Sequence, residues 1–401
     1  MENKEKLNIK PLIALFSAAL VIQSISLVQV VIAEMAKAFP DVSLSVIQLA
    51  GTIPSIGMIL GQLITGGLAL KVSKKLIMQI GLLISFAGGM IFLLLGASVS
   101  NFYILLVGSV LIGLGNGLFS IAMQSIIVDL YEGPRKGGIL GLQSTFASAG
   151  TMIMMALAGV FAKKQWNNAY LVFLFYILVF IFVTVFLPKD KPVLAEKKKG
   201  EKIKLGNFGL GIWLCFLCYT LYLMCKYTHS LNQSLYISGN GLGTTVEAGI
   251  VGSIGTFAGM LAGLANVYIQ KFLKKYSVVL GIALGMTGLL IVPFSNSIMG
   301  IYIASALIGF GGLTFQTSLN VIMSDISGKA LAPMAFALSG IFANVGVMLS
   351  PSVVNSVNNA LFDGSAAGAY KVAGLLMAIP LALSFVAIAF ANKEQAKNQA
   401  E

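Results

Sequence analysis

The tightest constraint on this chain is its grain: apolar stretches follow one another along almost the whole length, separated by short polar breaks. A hydrocarbon core about 30 Å thick is crossed by about 20 apolar residues in helical form, and in lipid the backbone must hydrogen-bond to itself. Twelve stretches meet that requirement, at 11–33, 44–70, 76–96, 102–128, 137–162, 169–187, 207–237, 246–270, 276–293, 299–324, 331–357 and 368–391. Charged residues make up 10% of the 401, where soluble domains carry about a quarter. A water-facing surface cannot be built from that stock, so an all-α membrane protein of twelve transmembrane helices is expected.

A net charge of +12 in a soluble protein would suggest nucleic acid. Here the cations sit in clusters between the apolar runs, and they act as topology signals because lysine and arginine are retained on the cytoplasmic side of short loops. Lys4, Lys6, Lys10, Lys71, Lys74, Lys75, Arg135, Lys136, the lysines from Lys189 to Lys204, Lys271, Lys274, Lys275, Lys329, Lys393 and Lys397 all fall inside if the N-terminus is inside. Lys37, Lys163, Lys164 and Lys371 fall outside, and Lys226 lies within a span. The expected location is a cytoplasmic (inner) membrane, multi-pass, with both termini cytoplasmic. A single arginine among many lysines fits an AT-rich bacterial coding sequence. The first run is long and has no clear cleavage site, so it reads as a retained helix rather than a secretory signal. Cys215, Cys218 and Cys225 all fall in the seventh span. With no second ligand pair, they read as small apolar filler; neither a disulfide nor a metal is expected.

The longest hydrophilic stretch contains Glu196, Lys197, Lys198 and Lys199 and divides six spans from six. The expected organisation is an N-terminal bundle at 1–187, a cytoplasmic linker at 188–206 and a C-terminal bundle at 207–401. The two halves are similar at an offset of 196 residues. Gly113, Gly115, Phe119, Ile126 and Asp129 recur as Gly309, Gly311, Phe315, Ile322 and Asp325; Phe146, Ala147 and Gly150 recur as Phe342, Ala343 and Gly346. Near a similar spacing, Ser55, Ile56, Gly57 and Gly61 recur as Ser253, Ile254, Gly255 and Gly259, and Lys74-Lys75 as Lys274-Lys275. An ordered set across four helix pairs is the mark of a duplication, with halves related by an axis along the membrane normal.

With twelve spans, a central linker and a duplication in place, three motifs carry a family resemblance. Gly66-Gly67-Leu68-Ala69-Leu70-Lys71-Val72-Ser73-Lys74-Lys75 resembles the G-x-L-A-D-R-x-G-R-K loop of the major facilitator superfamily, with Leu70 where that loop has Asp and Ser73 where it has Gly. Ala33 to Phe39 is similar to that superfamily's P-x-I-x-x-x-F, and Trp166-Asn167-Asn168-Ala169-Tyr170 to its W-R-x-x-F. The resemblance implies two pseudo-symmetric six-helix bundles, a central cavity lined by spans 1, 4, 7 and 10, and alternating access by rocking of the halves.

An ionisable side chain in hydrocarbon costs on the order of 3 kcal/mol on insertion scales and by default marks a function. Lys226 is that residue. On a helical wheel Cys215, Cys218, Tyr219, Tyr222, Lys226, His229, Gln233 and Tyr236 fall on one face of the seventh span, and Leu217, Leu221, Met224, Leu231 and Leu235 opposite. His229, the one histidine of the chain, lies a turn from Lys226. Glu34, Asp41 and Glu247 sit at the outer edge and Asp129 and Asp325 at the inner ends of spans 4 and 10, so no acid is placed to neutralise a buried ammonium. Either the lysine gives up its proton or a negative ligand supplies the missing charge. A small organic anion, most simply a carboxylate, meets the requirement, with His229 and tyrosine hydroxyls as hydrogen-bond partners.

Asn116, Ser120 and Gln124 form a stripe on span 4, mirrored by Gln316, Asn320 and Ser324 on span 10, while Gln23, Ser26 and Gln29 rise along span 1. The candidate substrate site is Lys226, His229, Tyr222, Gln233, Tyr219, Asn116, Gln124, Gln316, Asn320 and Gln23. Each polar residue has an alternative role in interhelical hydrogen bonding, Lys226 in snorkelling to an interface, His229 as a structural histidine, and the tyrosines in packing. Lys74, Lys75, Asp129, Lys274, Lys275 and Asp325 are candidate inner gate contacts, with exposed helix-end charges as the alternative.

No acid pair, histidine cluster or phosphate-binding loop is present, so an enzyme is not expected, nor a cofactor. The expected function is secondary transport of a small organic anion by a monomer, coupled to protons through His229 or working by exchange. The alternatives are proton-coupled efflux of amphipathic, drug-like compounds, for which an intramembrane carboxylate on span 1 and a Gly-Pro pair in span 5 are missing, and a transporter-like receptor.

Overall fold

The described residues of this computed structural model are 9–68, 72–98, 101–131, 133–188 and 208–400, with side-chain positions at all of these except 66, 67, 133–138, 141, 267, 328–334, 337 and 393–400. Residues 189–206 of the expected linker, Lys4, Lys6, Lys71 and Leu70 of the Gly66 motif lie outside the described residues, as do the side chains of Arg135, Lys136, Lys329, Lys393 and Lys397. Twelve helices are long and apolar enough to cross a membrane, and no strand occurs among the described residues. They are α1 (Ile9–Ala38), α2 (Leu44–Thr52 and Pro54–Leu68), α3 (Lys74–Leu95), α4 (Tyr103–Leu130), α5 (Gly133–Phe161), α6 (Trp166–Phe186), α7 (Leu210–Gly239), α8 (Thr245–Leu273), α9 (Ser277–Ile291), α10 (Ile298–Ser327), α11 (Leu338–Leu361) and α12 (Ala366–Asn392).

Contacts divide the chain into two compact units. The first holds the residues up to Val28 and those from Ile53 to the end of α6; the second holds Gln29–Thr52 together with α7 to α12. The segment 29–52, expected with the first six spans, therefore packs with the last six.

In the first unit the helices meet at glycine. A Cβ on Gly81 of α3 would stand 2.7 Å from the Gly115 carbonyl oxygen of α4, and one on Gly113 of α4 would strike the Pro54 backbone of α2. Gly150 of α5 lies on the Leu20 backbone of α1 in the same manner. Lipid tails are as apolar as leucine, so helices in a bilayer associate through close van der Waals packing, which small residues permit.

Two spans expected to be continuous are broken. After Val21 the helical path of α1 gives way to a 3-10 turn, Ser24–Leu27, before resuming at Val28. Tyr176 of α6 reaches into the gap: its hydroxyl donates to the Val21 carbonyl at 2.9 Å and lies 2.6 Å from Ser24 Oγ. A side chain inserted into the backbone ladder is a recognised cause of such a break. In α2 the break falls at Ile53, where Pro54 has no N–H to donate and disfavours helical dihedrals in the residue before it.

The second unit repeats these contacts. Gly311 of α10 faces the Gly281 carbonyl oxygen of α9 at 2.6 Å from its would-be Cβ; Gly309 lies against Gly255 of α8, and Gly346 of α11 against the Thr220 backbone of α7. The polar break expected at 325–330 is absent: helical backbone runs on from Ile298 to Leu361. Gly328 and Pro333 are local signals for a stop there, and the helical backbone runs through both.

Within this unit 29–52 is tied to α7 and α11. Asn355 Nδ2 donates to Gln48 Oε1 (2.7 Å) and Ser45 Oγ (3.0 Å), Gln48 Nε2 donates to Asn232 Oδ1 (3.1 Å), and Asn232 Nδ2 donates to the Thr228 carbonyl (2.9 Å). Tyr227 donates to the Gly51 carbonyl and accepts from Gln29, while the Ala33 amide donates to Ser234.

Candidate functional site

Helix α7 is the centre of the second unit. The expectation of one polar and one apolar face needs correction: Tyr227, Asn232, Ser234 and Ser238 all hydrogen-bond to other helices or to the 29–52 segment, and buried residues lie on more than one side. A helix packed by neighbours on several sides shows no clean apolar stripe.

Lys226 lies half-buried on α7, and its ammonium rests against Gly312 of α10. No Asp or Glu pairs with it among the described residues, where the ion pairs are Lys37–Glu34 and Lys74–Asp129. One turn away, Tyr222 is 0% exposed, its ring stacked on Phe315 with centroids 4.0 Å apart, and its hydroxyl has no hydrogen-bond partner among the described residues. Tyr219 tilts against the same phenylalanine at 5.7 Å. Gln233, 1% exposed, leaves its amide nitrogen without a partner among the described residues. On α10, Gln316 is exposed and Asn320 half-buried.

His229 is held on both sides. Nδ1 lies 2.9 Å from Tyr370 Oη of α12, and Nε2 lies 3.2 Å from Ser305 Oγ of α10. Ser305 spends its one proton on the Val251 carbonyl of α8, at 2.8 Å. It must therefore accept from Nε2–H, which leaves Nδ1 to accept from Tyr370. A neutral imidazole is fully satisfied by this chain across four helices and has no nitrogen left for a ligand.

Asn116 of the first unit is 0% exposed and equally engaged. Its Oδ1 lies 3.1 Å from the hydroxyls of Ser85 and Tyr176, and its Nδ2 donates to Ser24 at 3.3 Å. Gln23, in the α1 break, and Gln124 on α4 are exposed. At the Lys74 end of this unit, Lys74 pairs with Asp129, and Lys75 donates to the carbonyls of Thr184 (2.8 Å) and Leu187 (2.6 Å), meeting the orphan carbonyls at the end of α6.

The matching cations of the second unit do something else. Lys274 ends α8 with a left-handed φ of 51° and Lys275 donates to Asn392 Oδ1 at 2.7 Å, while Asp325 is exposed and in no ion pair among the described residues. Helix α8 runs on through Leu273 and reverses within Lys274–Tyr276, without the Ser73-capped loop that delivers Lys74 to Asp129. No group of three or more His, Cys, Asp or Glu able to hold a metal occurs among the described residues.

Twelve spans and a glycine-matched duplication agree with one family, whose model matches residues 14–351. The chain belongs to the Major Facilitator Superfamily. It is a multi-pass membrane transporter, not an enzyme. No curated protein matches the sequence. Among solved structures it is similar to the nucleoside transporter NupG (13% identity, 95% of this chain and 99% of that one, TM-score 0.78) and to a D-xylose-proton symporter (16%, 94% and 96%, TM-score 0.72). It is also similar to a POT family transporter in complex with 5-aminolevulinic acid (12%, 96% and 96%, TM-score 0.78). At these identities the likeness shows the major facilitator fold.

Proposed function

We propose that this major facilitator protein moves a small organic anion, most simply a carboxylate, across the inner membrane by alternating access, with the Lys226 ammonium meeting the anion's charge. The two six-helix halves are joined by the 188–206 linker, with both termini cytoplasmic as the lysine distribution has it. The observation that carries this reading is a lysine within a membrane span that has no acidic partner among the described residues. An uncompensated cation within a membrane span is costly, and a carboxylate brings both the opposite charge and acceptor oxygens. The open donors on the same face of α7, the Tyr222 hydroxyl and the Gln233 amide, suit such a ligand. Because protein groups occupy both nitrogens of His229, we assign it a bracing role and coupling to anion exchange rather than to a histidine proton relay. Lys74 and Asp129 then serve as an inner contact that breaks and reforms.

Related folds carry nucleosides and D-xylose, so cargo has to be argued from side chains rather than from architecture. The test is counterflow in proteoliposomes with labelled succinate, benzoate and 5-aminolevulinate, and with uridine and D-xylose as neutral probes. Carboxylate exchange that Lys226→Ala abolishes, in a variant with an unchanged unfolding temperature, is the expected result. Carboxylate exchange at the original rate in that variant, or transport of the neutral probes alone, removes the anion reading.

A further inference from the structure

Gly312 is the residue whose missing side chain leaves room for Lys226. A Cβ built there would stand 2.6 Å from Lys226 Nζ, 2.9 Å from Cε and 3.5 Å from Cδ, and these are its three nearest neighbours. The adjacent glycines have a different reason to be glycine. At Gly309 and Gly311 a Cβ would meet the backbone of α8 and α9, which cannot move aside. Those two set helix contacts, whereas at Gly312 the three nearest atoms all belong to the end of one flexible side chain.

The duplication points the same way. The offset that matches Gly309 to Gly113 and Gly311 to Gly115 carries Gly312 onto Asn116. The contact symmetry that matches Thr220 to Leu20 carries Lys226 onto Ser26. One half thus has a short residue on its first helix and an amide on its fourth; the other has a lysine on the first and a glycine on the fourth, whose missing side chain the lysine end fills. Bulk has moved from α10 to α7 and brought a charge with it.

We propose that Gly312 is a positioning residue for the anion site: by presenting bare backbone it seats the Lys226 ammonium, and the size of residue 312 sets where that charge is offered. The proposal rests on the reading of Lys226 as the anion-binding group. A methyl at 312 must displace the ammonium, because non-bonded heavy atoms do not approach so closely. The lysine end is flexible, so the fold accommodates the change while the charge moves. Affinity for the anion falls by about tenfold with Gly312→Ala, as expected when a charge-assisted contact is weakened, and further with Gly312→Ser.

The experiment uses the full-length carrier in nanodiscs. Acetate, benzoate, succinate, citrate and 5-aminolevulinate are screened by thermal shift, and the one that most stabilises the unmodified protein is titrated against Gly312→Ala, Gly312→Ser, Lys226→Ala and the double variant Lys226→Ala with Gly312→Ala. The expected result is weakened binding in both Gly312 variants with the unfolding temperature nearly kept, and no binding without Lys226. Unchanged affinity in Gly312→Ala, alongside lost binding in Lys226→Ala, overturns the positioning role and leaves the anion reading standing. Binding that survives Lys226→Ala, or no stabilisation of the unmodified protein by any of the five, overturns the anion reading and this proposal with it. If Gly312→Ala is unstable, the double variant decides: recovery of the original unfolding temperature supports a clash with the lysine, and failure to recover overturns the notch.

Discussion

The hydroxyl of Tyr176 donates to the carbonyl oxygen of Val21 at 2.9 Å, at the point where α1 leaves its helical path. The phenol oxygen itself lies within hydrogen-bond distance of Ser24 and Asn116, so one phenol ties α1, α4 and α6 together. Tyr176→Phe keeps the ring stacked on Phe173 but leaves a buried carbonyl without its donor. Such orphaned groups cost about 1 to 3 kcal/mol. A lower unfolding temperature in detergent is expected, and an unchanged one would show that the break in α1 is held by something else.

The glycines separate into two classes by what a methyl would meet. At Gly311 it would press on the Gly281 carbonyl at 2.6 Å, and at Gly340 it would meet nothing within 4 Å. Overpacking costs about 1 to 3 kcal/mol, whereas alanine in place of an unconstrained helical glycine gains up to about 1 kcal/mol. Gly311→Ala should therefore lower the unfolding temperature and Gly340→Ala leave it equal or raise it. Equal effects at the two positions would rule out the close α9–α10 approach as the reason for Gly311.

These glycines also explain how much of the fold could be read in advance. Close helix crossings demand a small residue at a fixed place, so Gly113, Gly115 and Gly150 and their partners Gly309, Gly311 and Gly346 leave the duplication visible in one dimension. The breaks in α1 and α2 were less accessible for different reasons. Pro54 was a local signal, whereas the α1 break depends on Tyr176, which lies far along the chain. Lys226, Tyr222 and Gln233 fall within one arc of the helical wheel, which makes α7 look polar on one face only. Tyr227, Asn232 and Ser234 escaped, since a polar residue that bonds a neighbouring helix is indistinguishable by periodicity from one that faces a ligand. The Thr244-x-x-Glu247 spacing was a readable capping signature; the structure has both reciprocal bonds of that box at the start of α8.

Gln48 joins Asn355 and Asn232 in a chain of amides, each donating to the next. Hydrogen bonds between membrane helices are worth about 0.6 kcal/mol on average and up to about 2. A double-mutant cycle with Gln48→Ala and Asn355→Ala should give a coupling of that size in unfolding free energy. Strict additivity would mean that the 29–52 segment is held to α11 by packing alone.

Lys74 and Asp129 form an ion pair in the first unit, while Asp325 forms none among the described residues of the second. Asp129 is 45% exposed on its side chain, which limits the pair to about 0.2 to 1 kcal/mol and makes it sensitive to salt. Exchange kinetics of Asp129→Asn should depart from those of the unmodified carrier in low salt and converge with them at high salt. Asp325→Asn should behave as the unmodified protein at both. A larger effect at Asp325 would reverse the assignment of the inner contact to the first unit.

His229 gives the clearest separation between a brace and a relay. Its two nitrogens link Tyr370 to Ser305, and Ser305 passes the chain on to the Val251 carbonyl. Replacing the imidazole with alanine leaves two buried hydroxyl groups short of a partner, a loss of about 1 to 3 kcal/mol each at most. A brace shows this as reduced thermal stability in His229→Ala, partly restored in His229→Gln, whose amide can both donate and accept. Transport by the folded glutamine variant should keep the pH profile of the unmodified carrier. A relay predicts the opposite pattern: stability nearly intact, and the pH dependence of uptake lost in both variants, because neither side chain can carry a proton through the cycle. Measuring the pH profile and the unfolding temperature on the same preparations distinguishes the two.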